Sequence, residues 1–116
     1  MPKKTKDEFE KYFNSPEGLH KIEAVRNGLV TGTLKHFPQI FAIIAKTNIQ
    51  TLLGNEFYAF DKKIEDPGRF TFNEVETMGN FFGVGFERMS QFIRENQVLA
   101  RKKQETKRKR PSSSKS

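Results

Sequence analysis

Apolar side chains recur at spacings of three and four residues along most of this chain, which is the periodicity of an amphipathic helix. No stretch shows the sustained alternation of a half-buried strand, and no internal repeat is visible. The periodic segments predict helices at about 7–13, from Pro16 to Gly28, near Pro38, at 48–53, at 55–65, from Phe72 to Phe82 and from Phe86 to about Leu99. We therefore expect an all-α chain, with a compact domain of five or six helices and an N-terminal helical arm.

Short-range signals place the predicted helix ends. Starts are indicated by a serine before a proline and by two threonine-led capping boxes: Ser15-Pro16, Thr47 with Gln50, and Thr71 with Glu74. Ends are indicated by glycines: Asn27-Gly28, Gly54 and Gly83-Val84-Gly85. Residues 29–33 then form a connector, and Gly54 hinges two short helices, 48–53 and 55–65.

The apolar stripes define the predicted core. Most of the twelve phenylalanines fall on them, so packing is favoured over stacking on nucleic-acid bases as their role. In helix 55–65 we expect Phe57, Phe60 and Ile64 to face inward, and Tyr58 to point away from them. The other predicted inward residues are Leu19, Ile22, Val25, Ile49, Leu52, Leu53, Phe72, Val75, Met78, Phe82, Phe86, Met89, Phe92 and Ile93.

The basic charge of the chain is concentrated at one end. The net charge is +7, from 21 Lys and Arg against 14 Asp and Glu. Eight of the basic residues and one acid lie from Arg101 onward, so residues 1–100 carry equal numbers of each sign. We predict a disordered basic tail over 101–116, after an arm and connector over 1–34 and a helix-turn-helix domain over 35–100.

A basic tail attracts any polyanion without regard to its sequence. If all eight tail cations paired with phosphates, the logarithm of the binding constant would fall with that of the salt concentration with a slope of roughly −7. A solvated tail whose lysines only aid solubility remains an alternative.

Catalytic and cofactor chemistry has no visible basis in the sequence. His20 and His36 are isolated and lack carboxylate or cysteine partners at ligand spacing. The glycines of 79–85 follow no strand and precede no lysine-serine pair, so they read as a helix end rather than a phosphate loop. We therefore expect a protein that is not an enzyme, with no metal and no cofactor.

The cellular setting is read from absences in the sequence. The chain has no cysteine, its first residues lack the apolar core of a signal peptide, and its longest aliphatic run is far below the ~18 residues that span a membrane. We expect a cytoplasmic protein without membrane contact, nucleoid-associated if it binds DNA, or carried in a virion if a phage encodes it.

The middle of the chain resembles the phage-repressor-like (Cro-type, XRE-like) helix-turn-helix domains, especially a small variant found in Bacteroidetes and their mobile elements. The resemblance covers residues 35–95. It is carried by Phe37, Ile40-Phe41, Ile49, Leu52-Leu53-Gly54, Phe57, Phe60, Lys62-Lys63-Ile64, Pro67, Phe70-Thr71 and Gly83-Val84. It implies a DNA-binding protein, a transcriptional regulator in which helix 48–53 crosses the DNA backbone and helix 55–65 lies in the major groove.

The same resemblance assigns DNA contacts to individual residues. Candidates for base edges are Asn55, Glu56, Tyr58, Ala59, Asp61 and Lys62. Candidates for phosphates are Lys46, Thr47, Gln50 and Arg69. The charge map adds the tail residues Arg101, Lys102, Lys103, Lys107, Arg108, Lys109 and Arg110 as non-specific phosphate contacts.

A second function stays open beside double-stranded DNA binding. Glu56 and Asp61 put negative charge on the predicted reading face, and Gln50 replaces the small residue usual where the two helices cross. A helical protein-interaction or structural module, with a tail that binds nucleic acid non-specifically, is therefore the alternative. A palindromic operator would require a homodimer, for which the aromatic arm around Phe9, Tyr12 and Phe13 is the leading interface candidate. The alternative is that this arm folds back onto the core.

Overall fold

Local sequence signals and burial of apolar stripes together produce an all-helical chain. A computed structural model describes the backbone of residues 6–115 and the side chains of residues 7–103. Within these residues there are seven α-helices, one short 3-10 helix and no strand, which confirms the all-α prediction. The helices are α1 Lys6–Phe13, α2 Pro16–Thr31, α3 Phe37–Phe41, α4 Lys46–Leu53, α5 Phe57–Glu65, the 3-10 helix Pro67–Arg69, α6 Phe72–Phe82 and α7 Gly85–Lys115.

Two of the predicted helix starts form as expected. The Ser15 hydroxyl accepts a hydrogen bond from the Gly18 amide, with Pro16 in the first turn of α2. At α6 the capping box is complete: the Glu74 amide donates to the Thr71 hydroxyl at 3.1 Å, and the Thr71 amide donates to the Glu74 carboxylate at 2.9 Å. These bonds satisfy amide groups that a helix leaves unpaired at its first turn.

The predicted end of α2 at Gly28 is wrong. The helix continues to Thr31 and ends at Gly32, which has a φ of +80°. Gly28 serves packing instead, because a Cβ there would lie 2.4 Å from the Leu34 side chain as the chain folds back over the helix. The predicted connector therefore shrinks to the residues after Gly32.

The predicted capping box of Thr47 with Gln50 is also wrong. α4 begins two residues earlier than predicted, at Lys46, with Ala45 at its N-cap, so Thr47 lies inside the first turn. The Thr47 carbonyl accepts a hydrogen bond from the Thr51 hydroxyl at 2.9 Å. Gln50 is drawn into the interior.

The structure does not confirm the predicted disorder of the tail, since the backbone of α7 is helical to Lys115. Residues 101–110 are almost all Lys, Arg, Gln and Glu, which are strong helix formers and contain no breaker before Pro111. A helix that starts at Gly85 can therefore propagate past the last apolar residues.

The core lies between α6, α7 and the short helices that pack on them. Its largest fully buried side chains include Phe60, Phe82 and Phe92, with Met78 and Met89 between them. Buried polar groups fasten α7 to the chain before α3: the Asn96 amide donates to the Lys35 carbonyl at 2.9 Å, and Arg88 Nε donates to the Leu29 carbonyl at 2.8 Å. The predicted inward residues Leu19 and Phe72 are exposed instead.

The N-terminal arm packs against the core. Phe9 and Phe13 are buried, and their rings lie 5.8 and 5.2 Å from the Phe81 ring. The close approach of α1 and α2 depends on Gly18, where a Cβ would lie 2.1 Å from the Tyr12 carbonyl oxygen. The dimer hypothesis required Phe9 and Phe13 to be exposed to a second copy of the chain. Both residues are instead buried against the core.

Candidate nucleic-acid interface

The turn between α4 and α5 is built on Gly54. Its φ of +69° is left-handed, a conformation that side chains other than glycine and asparagine disfavour. The Gly54 amide donates to the Thr51 carbonyl at 3.1 Å, and the Asn55 amide donates to the Gln50 carbonyl at 3.2 Å. The predicted hinge is therefore present, but α5 begins at Phe57, so Asn55 and Glu56 precede the helix rather than form its first turn.

The Gln50 side chain lies in the interior and bonds to the turn between the two helices. Its side chain is 2% exposed, and its amide nitrogen donates to the Asn55 carbonyl at 3.3 Å. Gln50 thus links α4 to the turn that follows it and satisfies a backbone carbonyl there. The Gln50 side chain, which was expected to contact a phosphate, therefore lies in the interior.

Asn55 forms a polar cluster with Lys63 and Glu74, which we call the inner cluster. It joins the turn to α5 and α6. The Asn55 side-chain Nδ2 donates to the Glu74 carboxylate at 2.7 Å, and its side-chain Oδ1 accepts from Lys63 Nζ at 3.0 Å. Lys63 Nζ also lies 2.7 Å from the Glu74 carboxylate, and the two side chains are only 19% and 11% exposed. The Asn55 side chain, which was expected to contact a base edge, is therefore held within the fold.

The Glu74 carboxylate is the most heavily coordinated charge in the cluster. Its burial acts to raise its pKa, but hydrogen bonds from Lys63, from the Thr71 backbone amide and from Asn55, together with the Lys63 charge, lower the pKa below its ordinary value on balance. Glu74 is thus held ionised, and it fixes both the start of α6 and the turn before α5.

The exposed residues around the start of α5 form a surface that we call the outer face: Glu56 just before the helix, and Phe57, Tyr58, Ala59 and Lys62 on it. Tyr58 is 76% exposed, as its position off the apolar stripe predicts. Phe57 is 53% exposed, so the prediction that it faces inward is wrong. At the first turn of α5 it lies beside Lys46, whose Nζ is 5.7 Å from the ring centre, rather than over the core.

The charges around the outer face nearly cancel. Lys46 Nζ is paired with the Asp61 carboxylate, so the expected phosphate contact and the expected negative charge neutralise each other. Glu56 and Lys62 remain, with opposite signs. The outer face is therefore aromatic and close to neutral.

The other predicted contacts are exposed on other parts of the chain or lie beyond the described side chains. Thr47 is exposed on α4, and Arg69 is exposed after α5, with its Nε 3.4 Å from the Asp66 carboxylate. Arg101, Lys102 and Lys103 are exposed on α7. The side chains of Lys107, Arg108, Lys109 and Arg110 lie outside those that the structure describes.

Sequence reasoning missed two features of the site. Lys63 and Glu74 are eleven positions apart in the sequence, so no local pattern predicts that they pair. The exposure of Phe57 had a weak signal, because Asn55 and Glu56 follow the turn glycine and can extend the turn, which delays the start of α5.

Comparison of this chain with protein families, with curated proteins and with solved structures found no match. Within the described part of the chain no helix is long and apolar enough to cross a membrane. The same part contains no group of three or more His, Asp or Glu side chains that could hold a metal ion. The α4–α5 unit therefore carries the structural features that bear on function.

Proposed function

We propose that this protein is a DNA-binding protein of the helix-turn-helix type, a transcriptional regulator in which α5 enters the major groove. The observation that carries the proposal is the two-sided build of α5. Phe60 is fully buried, while Tyr58 and Lys62, one turn apart, project from the outer face. A short helix that is anchored on one side and presented on the other, after a tight glycine turn, is the device by which such domains place side chains at base edges.

The geometry revises the residues assigned to each role. Glu56, Tyr58, Ala59 and Lys62 are available for base edges. Thr47 on α4 and Arg69 after α5 are exposed, and we assign them to phosphates. Gln50 and Asn55 instead position α5, because their side chains are occupied within the fold.

Electrostatic attraction comes from the far end of α7. Residues 1–100 carry no net charge, so the basic residues from Arg101 onward supply most of the affinity for phosphate. Two properties then become separable. Removal of residues 101–116 should weaken binding to every duplex and flatten its salt dependence, while changes on the outer face should reduce discrimination between sequences.

Selection of binding sites from a pool of random duplexes tests the proposal. We expect the wild-type protein to enrich a sequence motif, and the Tyr58→Ala, Lys62→Ala double variant to retain salt-sensitive binding without enriching that motif. The matched control is the double variant Phe72→Ala, Lys11→Ala, which removes an exposed ring from α6 and an exposed lysine from α1. Salt-sensitive binding by the wild type without any enrichment would reject base reading.

A protein-interaction module is the second candidate, favoured by the exposure of several large apolar rings. Phe57, Tyr58 and Phe72 are each more than half exposed, and exposed aromatic residues are enriched where proteins dock. Such a module should form a stable complex or oligomer in size-exclusion chromatography without nucleic acid, with a mobility that nuclease does not change. An elution volume that shifts only when duplex is added would favour the first candidate.

A further inference from the structure

The first turn of α5 presents three consecutive exposed residues without a charged group. They are Phe57, Tyr58 and Ala59. The Phe57 and Tyr58 rings lie 5.5 Å apart at 86°, so they form one edge-to-face unit rather than two isolated side chains. This unit stands where a recognition helix makes its closest approach to bases.

The groups that usually identify purines are missing from this surface or occupied elsewhere. Residues 46–65 contain no arginine, the donor that most often binds guanine. Gln50 and Asn55, the amides that could bind adenine in a bidentate manner, are bonded within the fold. Lys62 remains as a point charge, and Glu56 as an acceptor for the cytosine amino group.

Apolar side chains have one distinctive partner in the major groove, which is the 5-methyl group of thymine. We propose that Phe57, Tyr58 and Ala59 recognise thymine methyl groups, and that this apolar contact dominates the sequence preference of the protein. The inference rests on the proposed function, since it requires α5 to lie in the major groove.

Stacking on single-stranded bases is the competing use of exposed aromatic rings, and the surroundings disfavour it. Such platforms lie in a positively charged groove that follows the strand. Here the neighbouring charges are Glu56, Lys62 and the neutralised pair of Lys46 with Asp61. Lys46 Nζ also lies over the Phe57 ring, at 5.7 Å from its centre, where a base would have to stack.

Replacement of thymine by deoxyuridine isolates the methyl group, because it leaves base pairing and backbone charge unchanged. The probes are an alternating adenine–thymine duplex and the same duplex with deoxyuridine at every thymine. Burial of one or two methyl groups predicts tighter binding to the thymine duplex by a factor on the order of ten. The Phe57→Ala, Tyr58→Ala double variant should bind both duplexes about equally. Phe72→Ala should keep the wild-type ratio, since Phe72 is an exposed ring on α6 that packs on Phe86.

The possible outcomes distinguish a failure of methyl recognition from a failure of DNA binding. Equal binding of both duplexes by the wild type would overturn methyl recognition and leave DNA binding in place. Absence of binding to either duplex would overturn both. Tighter binding to single-stranded thymine oligonucleotide than to the duplex would overturn the proposal in favour of stacking. A thymine preference that survives in the double variant, with its helical content by circular dichroism unchanged, would assign the methyl contact to other residues.

Discussion

The two sides of the α4–α5 unit differ in how their side chains are held. On the inner side, polar groups of Gln50, Asn55, Lys63 and Glu74 are bonded to each other or to backbone carbonyls and amides. On the outer face, the Phe57 and Tyr58 rings are mostly in solvent. For these side chains the usual expectation that amides meet water and aromatic rings meet the core is reversed, whereas Phe60 of the same helix is fully buried.

The reversal has a physical reason. The turn after Gly54 leaves backbone groups that need partners, and amide and carboxylate side chains are the groups that can supply them. Because these polar side chains are bonded within the fold, the exposed surface of α5 is formed by other residues. The inner side should therefore control stability, and the outer face should control recognition.

The largest effect on stability is expected from loss of the inner cluster. Glu74→Ala removes the partner of Lys63 and Asn55 as well as half of the capping box of α6. We expect the free energy of unfolding to fall by about 2 to 3 kcal/mol, measured by urea denaturation. Glu76→Ala, an exposed change on the same helix, should alter it by less than about 0.5 kcal/mol. Equal effects of the two changes would show that the cluster is not structural.

A smaller effect is expected from acid. Because the pKa of Glu74 is lower in the folded protein than its ordinary value of 4.5, its contribution to stability is complete above that value and is lost as the pH falls through the folded pKa. Denaturation at a series of pH values should therefore show a smaller acid-induced loss of stability in Glu74→Gln than in the wild type. Glu76→Gln should keep the wild-type loss, and a wild-type profile in Glu74→Gln would contradict the assignment.

The smallest effect on stability is expected from the outer face. Phe57→Ala combined with Tyr58→Ala removes two rings that are mostly solvated and introduces a better helix former, so the free energy of unfolding should stay within about 1 kcal/mol of the wild type. The same variant should show the largest loss of sequence discrimination. A severe loss of stability would mean that these rings belong to the core, and would break the contrast between the two sides.

Local signals predicted much of the fold. The hinge at Gly54 and the capping box of Thr71 with Glu74 were predicted correctly, because each depends on residues that are near in sequence. The capping box of Thr47 with Gln50 has the same pattern and does not form, because Gln50 has a competing partner in the Asn55 carbonyl. A pattern of spacing cannot rank two partners for one side chain when one of them depends on tertiary packing.

The candidate site was predicted in part, for the same reason. The exposure of Tyr58 follows from helical periodicity, whereas the pairing of Lys46 with Asp61 joins residues on two helices. Phe57 fits the apolar stripe, but a helix start two residues later than expected leaves it beside Lys46. Errors of one or two residues at helix ends are therefore enough to exchange a core side chain for a surface one.

The most direct test of the central claim is a titration of isotope-labelled protein with the alternating adenine–thymine duplex, followed by NMR of the backbone amides. The claim is that the outer face of α5 contacts DNA while the basic end of α7 supplies attraction. We predict the largest shifts in residues 56–62, with smaller, salt-sensitive shifts from Arg101 onward. Shifts confined to residues from Arg101 onward, with 56–62 unchanged at saturation, would contradict the account.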